Sequence, residues 1–382
     1  MSYPHLALRA WPFRVVPEPE FCDFLADRST LRSDVEALLR SLENRPTSTI
    51  HLIWSWYGAG KTHTAFYLAN RCKAAHQALS PFYTECPRDA KGFQDLYRVA
   101  VAQIPIDNAI TAFLDMSTSA SSDAFRRAMD PDLTSALTQA ALGDRPLQVL
   151  LQQWLAGNVI PRKSLVQLGV GTRVAGAEQC SVILAELIAL LTRGVDASAP
   201  NQHRRIIWIV DEIQRAEELP TAAQRSLLSG LVGVFNRCPT GLTLILAYSG
   251  EPKEKGLPAW IPADLADRIG REKTMLLPPL ISAEGKAFVR DLLAHFRPAG
   301  VTPPSDYHPF EPEAVEMLVD ALAGNGDLKP RTLMQFLDNA LRTFEPRLLT
   351  GDGRAISLAE LKEALRDQAV SWPTHRTKGR RS

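Results

Sequence analysis

The sequence has almost no net charge. Its 382 residues include 43 lysines and arginines and 42 aspartates and glutamates, which leave a formal charge of +1. No overall field would therefore draw the chain onto a nucleic acid, so such a contact would need a local basic patch. Hydrophobic residues make up 45% and charged residues 22% of the chain, which is typical of globular proteins and excludes wholesale disorder. The length allows one large domain and a smaller one.

Disulfide and metal-binding patterns are also missing from the sequence. The eight histidines lack the spacing of metal ligands, and the five cysteines are scattered, odd in number and without C-x-x-C spacing. The cysteines are Cys22, Cys72, Cys86, Cys180 and Cys238. We therefore expect reduced, mostly buried thiols, as in a cytosolic protein, and neither a disulfide framework nor a zinc site.

The chain contains no hydrophobic run of membrane-spanning length. The most apolar stretch, residues 182–191, is interrupted by Glu186 and is far shorter than the roughly 20 residues that a membrane helix needs. Residues 1–14 lack the long apolar core of a signal peptide. The sequence has no fixed-period repeat, which argues against a solenoid. We expect a cytoplasmic protein that does not contact a membrane.

A Gly-rich segment lies between a predicted strand and a predicted helix. The apolar run of residues 49–54 is typical of a buried strand, and residues 65–69 are typical of a helix. The segment between them has the spacing S-x-x-G-x-G-K-T, with serine where the first glycine is usual. It consists of Ser55, Trp56, Tyr57, Gly58, Ala59, Gly60, Lys61 and Thr62, and His63 follows it.

This segment has the chemistry of a phosphate-binding loop, the P-loop or Walker A motif. Small residues let backbone N–H groups surround a β-phosphate, and the helix N-terminus adds partial positive charge. Lys61 would reach the β- and γ-phosphate oxygens, and the Thr62 hydroxyl would bind Mg²⁺. Gly58 and Gly60 can supply unusual backbone angles, while Ser55 is tolerable if its φ is negative. The loop predicts ATP and Mg²⁺ as cofactors, bound by Ser55–Thr62 and the adjacent His63.

An acidic pair follows a second buried strand. Asp211 and Glu212 come directly after the apolar run of residues 206–210, at the carboxyl edge where α/β sheets bind ligands. Asp211 would bind Mg²⁺, usually through water, as the Walker B aspartate does. Glu212 would polarise the water that attacks the γ-phosphate. The alternative is a strand that merely ends in polar residues.

Continuous apolar strands separated by helices predict a parallel five-stranded sheet flanked by helices, the α/β fold of P-loop NTPases. The strands are expected at residues 50–56, 81–84, 205–210, 242–248 and 274–277. After residue 279 the pattern is helical only, over 283–296, 312–322, 331–344 and 357–367, which indicates an all-helical lid domain. The predicted organisation is an N-terminal segment with a leading helix (1–48), a nucleotide-binding domain (49–279) with a helical insertion (about 108–200), the lid (280–370) and a basic flexible tail (371–382).

With both motifs in place, the chain resembles the AAA+ ATPases, in the branch of replication initiators and clamp-loader-like switches. The resemblance covers about residues 25–345 and implies roles for further residues. Ser249 at the end of the fourth strand occupies the sensor 1 position, although Asn or Thr is more usual there. Arg268 and Arg271 are candidates for the arginine that reaches a neighbouring subunit's γ-phosphate. Arg331, at a helix start after Pro330, occupies the sensor 2 position.

A weaker resemblance connects the insertion to ATPases of BREX-type bacterial phage-defence systems. It depends on the segments 154–158 and 168–171, together with the strand that ends in Asp211 and Glu212. The insertion is either a helical elaboration of the core or a surface for a partner. The basic tail, with Arg376, Lys378, Arg380 and Arg381, could contact nucleic-acid phosphates or could simply be solvated.

These features predict an ATP-hydrolysing AAA+ switch that assembles with itself or with other ATPase and effector subunits. It would recruit or remodel a partner, with DNA contacted through that partner or through the basic tail, and bacterial anti-phage defence is one setting for it. Two alternatives stay open: a nucleotide-binding scaffold that does not hydrolyse ATP, and an AAA+ regulator of DNA transposition. No nuclease or methyltransferase motif occurs, so chemistry on DNA would belong to a partner.

Overall fold

A computed structural model describes residues 3–117, 127–193, 204–251, 257–269, 273–350, 353–368, 370 and 372. The chain divides into two compact units. The helical unit comprises Met1–Asp34, Ser55–Tyr67 and Leu277–Ser382, and the sheet unit comprises Val35–Trp54 and Leu68–Leu276. The unit boundary therefore falls at the end of the first strand and again within the helix that follows it.

The sheet has five parallel strands in the order β2-β3-β4-β1-β5. Their bounds are β1 Thr49–Ser55, β2 Leu79–Glu85, β3 Arg205–Asp211, β4 Leu242–Ser249 and β5 Thr274–Leu277. All residues of β3 and β4 are buried, because helices cover both faces of the central strands. The predicted fold class is confirmed, and each predicted strand is present within one or two residues of its expected bounds.

Strand β2 lies at one edge of the sheet, which explains its composition. It pairs with β3 in parallel, in a register that sets Tyr83 opposite Ile209 and Glu85 opposite Asp211. Proline lacks an N–H group and is accepted in edge strands, so Pro81 can occupy the interior of β2. The register brings the end of β2 alongside the acidic end of β3.

Ten helices of the described residues lie between residues 29 and 269 and are numbered in chain order. Their bounds are α1 Ser29–Glu43, α2 Lys61–Ala75, α3 Phe93–Val101, α4 Ile106–Ser117, α5 Pro131–Leu142, α6 Arg145–Leu155, α7 Arg162–Leu168, α8 Ala177–Arg193, α9 Thr221–Arg237 and α10 Ala263–Ile269, with a 3₁₀ turn at Ile213–Glu218. The predicted leading helix is α1, and α1 and α2 each cross the boundary between the units.

The helical insertion shares the hydrophobic core of the sheet unit. Trp154 and Leu187 are fully buried in the same cluster as Trp208 of β3. Helix α8 packs against both α9 and β3. The Gly-rich break predicted after residue 168 is the end of α7, where Gly169 has a left-handed φ of +68°. The described part of the insertion is thus an elaboration of the core, and a partner-binding role for it stays a prediction.

The helical unit has its own core. Its helices are α11 Ser282–His295, α12 Pro312–Gly324, α13 Pro330–Leu349 and α14 Leu358–Ala364. The N-terminal segment packs with them: Leu6, Leu8 and Phe13 are buried in one cluster with Phe310. The Trp11 indole N–H donates to Asp338 Oδ1 of α13 at 2.6 Å. The first residues of the chain therefore complete the hydrophobic core of the C-terminal helices.

The structure bears on the state of the cysteines and on the length of the apolar helices. All five cysteines are buried free thiols, as the scattered spacing predicted. Over the described part of the chain, no helix is both long and apolar enough to cross a bilayer.

Candidate functional site

The predicted phosphate loop has the local structure that its sequence indicates. Strand β1 ends at Ser55, and helix α2 begins at Lys61. Gly58 and Gly60 have φ angles of +81° and +102°, which residues with a side chain adopt only under strain. A β-carbon placed on Gly60 would meet nothing within 4 Å, so the space beside this part of the loop is open. The strand, loop and helix thus follow one another as phosphate binding requires.

Serine is compatible with the position at which glycine is usual. Among the described residues, only Ala7, Asp27 and Glu212 combine a side chain with a positive φ, so Ser55 meets the condition set by the sequence. The Ser55 side chain is fully buried, and its hydroxyl donates to the Trp56 carbonyl at 3.0 Å. Ser55 therefore ends the strand without the strain that a left-handed backbone would impose.

Lys61 and Thr62 form the start of helix α2. Lys61 is only 6% exposed, and Thr62 is half-buried. The first N–H groups of a helix lack partners within it and carry partial positive charge. A cation and a hydroxyl at this terminus add to that field, so an anion with several oxygens would be well matched to it.

Arg331 lies next to the loop, within the same unit. It is the second residue of helix α13, and its main-chain N–H donates to the Gly58 carbonyl at 3.2 Å. A β-carbon on Gly58 would come within 3.2 Å of the Arg331 β-carbon, which shows how closely the two backbones approach. The Arg331 side chain is exposed. The structure thus brings the predicted sensor 2 residue to the phosphate loop.

His63 contacts the N-terminal segment. Its Nε2 lies 2.7 Å from the Phe24 carbonyl, and its Nδ1 lies 3.5 Å from the Cys22 sulfur. Burial lowers the pKa of His63, so the ring is neutral and donates from Nε2. Burial also raises the pKa of the Cys22 thiol to about 12, which keeps it protonated. Because both ring nitrogens have partners in the chain, the contacts of His63 are those of a packing residue, and its predicted cofactor contact stays a prediction.

Asp211 ends strand β3 and is fully buried. Its Oδ1 accepts the N–H of Glu212 at 2.7 Å, and its Oδ2 accepts the hydroxyl of Tyr83 at 2.9 Å. Burial and the nearby Asp211 carboxylate raise the pKa of Tyr83, so this hydroxyl stays protonated and donates. The aspartate is therefore fixed by hydrogen bonds from its neighbour in sequence and from the adjacent strand.

Glu212 has a left-handed backbone, with φ of 56° and ψ of 34°. This conformation is uncommon for a residue with a side chain, and such strain clusters at functional sites. The half-buried Glu212 carboxylate accepts the Gln214 side-chain amide at Oε2, at 2.8 Å. Gln214 Oε1 in turn accepts the N–H of Ser249 at 3.0 Å.

The sheet unit therefore brings together three of the predicted site residues, Asp211, Glu212 and Ser249. Tyr83 and Gln214 also belong to this cluster, and the sequence reasoning missed both. Gln214 lies two residues after the acidic pair, which was a usable signal. Tyr83 becomes adjacent only through the register of β2 with β3.

Of the two arginine candidates, Arg268 lies among the described residues. Arg268 is half-buried in α10, and its guanidinium lies over the Phe235 ring at 5.7 Å from the centroid. Its Nε is buried with no hydrogen-bond partner among the described residues. Arg271 and the basic tail residues Arg376, Lys378, Arg380 and Arg381 lie outside the described residues.

The predicted magnesium ligands are oxygen donors, the Thr62 hydroxyl in the helical unit and the Asp211 carboxylate in the sheet unit. Magnesium prefers oxygen ligands and usually keeps several waters while it binds substrate phosphates. Within the described ranges, no group of three or more His, Cys, Asp or Glu side chains could hold a metal by itself. These two oxygen donors therefore fit a magnesium ion that is bound together with a nucleotide. They do not fit a site in which the protein supplies every ligand.

No protein-family model matches the sequence, and no curated protein is similar to it in sequence. The structure is similar to the Orc1 protein of Aeropyrum pernix, solved in complex with DNA. That likeness has 15% sequence identity and a TM-score of 0.52, and it covers 94% of this chain and 70% of the other. The chain has the AAA+ fold. The predicted resemblance to replication-initiator ATPases is thus confirmed at the level of the fold.

Two further solved structures are similar to this chain, with lower TM-scores. The Orc2 protein of Aeropyrum pernix, in ADPNP and ADP complexes, is 18% identical with a TM-score of 0.49, over 88% of this chain and 68% of the other. Domain III of the Thermotoga maritima replication initiation protein DnaA is 14% identical with a TM-score of 0.45, over 93% of this chain and 98% of the other. The resemblance to BREX-type ATPases stays a prediction.

Proposed function

We propose that this AAA+ protein binds ATP together with Mg²⁺ and hydrolyses it. The observation that carries the proposal is the loop between β1 and α2, where two glycines with positive φ precede a lysine at the helix start. In this arrangement the loop N–H groups surround the β-phosphate, and Lys61 binds the β- and γ-phosphate oxygens. The Thr62 hydroxyl and the Asp211 carboxylate are the oxygen donors that would bind the metal ion.

The hydrolytic step is assigned to the acidic end of β3. Glu212 accepts a proton from the attacking water and so acts as general base. Ser249, linked to Glu212 through Gln214, helps to orient that water. When bound, magnesium neutralises developing charge on the β- and γ-phosphates.

Arg331 is proposed to report the nucleotide state to the helical unit. The start of α13 is hydrogen-bonded to the phosphate loop, so its side chain can extend towards a γ-phosphate held there. A positive side chain at this position would bind ATP more strongly than ADP. Hydrolysis would then weaken the link between the loop and α13, which is how a nucleotide could switch this unit.

We further propose that the protein acts in an assembly, either of its own copies or with other ATPase or effector subunits. Arg268 or Arg271 would supply an arginine to a neighbour's γ-phosphate, as the AAA+ resemblance implies. DNA is the proposed place of action, since the similar Orc1 structure was solved with DNA. Contact would come through a partner or the basic tail, and anti-phage defence is one setting for such a switch.

ATP binding and turnover, measured together, test this proposal. We expect the wild-type protein to bind a fluorescent ATP analogue and to hydrolyse ATP with Mg²⁺. Lys61→Ala should abolish binding because it removes the loop's cation from the phosphates. Tight binding with no turnover, with or without duplex DNA, would favour the scaffold alternative. Wild-type binding by Lys61→Ala would contradict the assignment of the loop.

Light scattering tests the assembly. The mass should grow when ATP is added, and this growth should be lost in Arg268→Ala or in Arg271→Ala. Arg366→Ala, an arginine in the turn after α14 to which no role is assigned, provides a matched control. A protein that stays monomeric at full ATPase activity would contradict a role for either arginine at a neighbour's site.

A further inference from the structure

We propose that Gln214 is a positioning residue that fixes the Glu212 carboxylate to the end of strand β4. The proposal rests on the proposed function, in which Glu212 is the general base. It assigns a task to a side chain that neither the P-loop nor the acidic pair includes. All the residues involved belong to the sheet unit.

The two ends of the Gln214 amide have different partners. The Nε2 donates to Glu212 Oε2 at 2.8 Å, and the Oε1 accepts the N–H of Ser249 at 3.0 Å. Both distances are within the ordinary range for hydrogen bonds of this type. The side chain is 6% exposed, so little water competes for either bond. Gln214 therefore forms a direct bridge between the ends of β3 and β4.

The polarity of this bridge requires an amide. The carboxylate accepts hydrogen bonds only, and the Ser249 N–H donates only, so the residue between them must donate at one end and accept at the other. Glutamate at position 214 could still accept from Ser249 but would present a second negative oxygen to Glu212. Methionine has a similar length but can form neither bond. Glutamine satisfies both partners at once.

Glu212 needs such a fixed partner because it lies just beyond the end of strand β3, outside regular secondary structure. It follows the last residue of β3 with a left-handed φ of 56°, so no strand pairing orients its side chain. A glutamate side chain has several rotatable bonds and loses conformational freedom when it is ordered. The bond from Gln214 fixes one carboxylate oxygen, and it does so from the strand that carries Ser249. A displacement of about 1 Å in a reacting group can lower a rate by about 100-fold.

The test compares three variants of the full-length protein. Gln214→Glu should lower kcat for ATP by about 10- to 100-fold, because the carboxylate loses the Gln214 amide donor and gains a like charge, while the Arg215 Nε remains 3.8 Å from Glu212 Oε2. The dissociation constant for ATP should stay at the wild-type value, because the phosphate loop is unchanged, whereas the melting temperature should fall, because a second buried carboxylate faces Glu212. Gln214→Met should lower kcat similarly. Gln152→Glu makes the same chemical change on an exposed face of α6 and should leave kcat unchanged.

A double-mutant cycle shows whether Gln214 acts through Glu212. Single-turnover rates are measured for Glu212→Asp alone and together with Gln214→Glu, because the shorter acid no longer reaches the amide. We expect Gln214→Glu to cause no further loss in that background. A further loss of the same factor as in the wild type would overturn the proposal, as would a wild-type kcat in Gln214→Glu.

The activity of Glu212→Gln distinguishes a failure of the positioning role of Gln214 from a failure of the general-base role of Glu212. If Glu212→Gln stops turnover while Gln214→Glu and Gln214→Met turn over at the wild-type rate, only the positioning role fails. If Glu212→Gln hydrolyses ATP at the wild-type rate, the general base is wrongly assigned and both proposals fail.

Discussion

The main-chain N–H of Arg331 donates a hydrogen bond to the carbonyl oxygen of Gly58, with 3.2 Å between the two atoms. This bond ties the start of α13 to the middle of the phosphate loop within the helical unit. A second tie joins the start of α2 to the N-terminal segment, where His63 lies 2.7 Å from the Phe24 carbonyl. The Phe24 ring is stacked on His295 of α11, at 4.6 Å between centroids. The loop is thus held by elements that are distant in sequence.

Gly58→Ala should damage the loop. The φ of +81° is unfavourable for alanine, and the new β-carbon would lie 3.2 Å from that of Arg331. We expect the free energy of unfolding to fall by about 1–2 kcal/mol and the affinity for ATP to fall with it. Gly324→Ala is the matched control, because a β-carbon at this end of α12 meets nothing within 4 Å. Urea unfolding of both variants checks the prediction, and equal stability of the two would contradict it.

Tyr83→Phe should leave the buried Asp211 with one donor fewer. The Tyr83 hydroxyl donates to Asp211 Oδ2 at 2.9 Å, and Asp211 is fully buried. Loss of a hydrogen bond to a buried charged group costs about 1–3 kcal/mol. Urea unfolding should show that decrease, while the circular dichroism spectrum stays unchanged. An unfolding free energy equal to that of the wild type would mean that this bond does not stabilise the end of β3.

Glu186→Gln should change how stability depends on pH. Burial raises the pKa of Glu186 from 4.5 to about 7, although both carboxylate oxygens accept the Asp130 N–H. Between these pH values the native state binds a proton that the unfolded state has released, so the wild type loses stability as pH rises through this window. The variant lacks this loss.

The melting temperature of Glu186→Gln, relative to that of the wild type, should therefore increase from pH 4.5 to pH 7 and then level off. Differential scanning calorimetry in a buffer series of constant ionic strength measures this difference. A difference that is constant across the range would contradict the raised pKa of Glu186.

Most of the sheet could be predicted from the sequence because its strands are local patterns. The runs that became β3 and β4 are apolar throughout, which is typical of strands buried on both faces. Strand β2 was predicted too short, at residues 81–84 instead of Leu79–Glu85. Its polar residues and Pro81 conceal an edge strand, whose hydrogen bonds with β3 define its length.

The site was predictable where its residues are adjacent in sequence. The spacing from Ser55 to Thr62 and the pair Asp211–Glu212 are local signals with a known chemistry. Tyr83 could not be found in this way, because only the register of two strands sets it beside Asp211. The packing of Trp11 and Phe13 with the C-terminal helices could not be predicted either. Aromatic residues without periodicity do not indicate a distant partner, and Trp11 is separated from Asp338 by 327 residues in sequence.

Arg268 illustrates a residue for which a motif gives a role but not a position. The AAA+ resemblance predicts a side chain that extends to a neighbouring subunit. In the structure its guanidinium lies over the Phe235 ring of the same chain. A contact between an arginine and the face of an aromatic ring contributes about 0.5–2 kcal/mol. The interaction of Arg268 with a neighbour's γ-phosphate would have to contribute more than this contact. Its role at a neighbour's site stays a prediction.

The central claim is that Glu212 is the base for hydrolysis of an ATP bound by the loop at Lys61. Parallel measurement of ATP binding and steady-state turnover in Glu212→Gln tests it most directly. We predict that the variant binds ATP with the affinity of the wild type, because the phosphate loop is unchanged, and that its turnover falls by about 100-fold or more. Turnover at the wild-type rate would contradict the account.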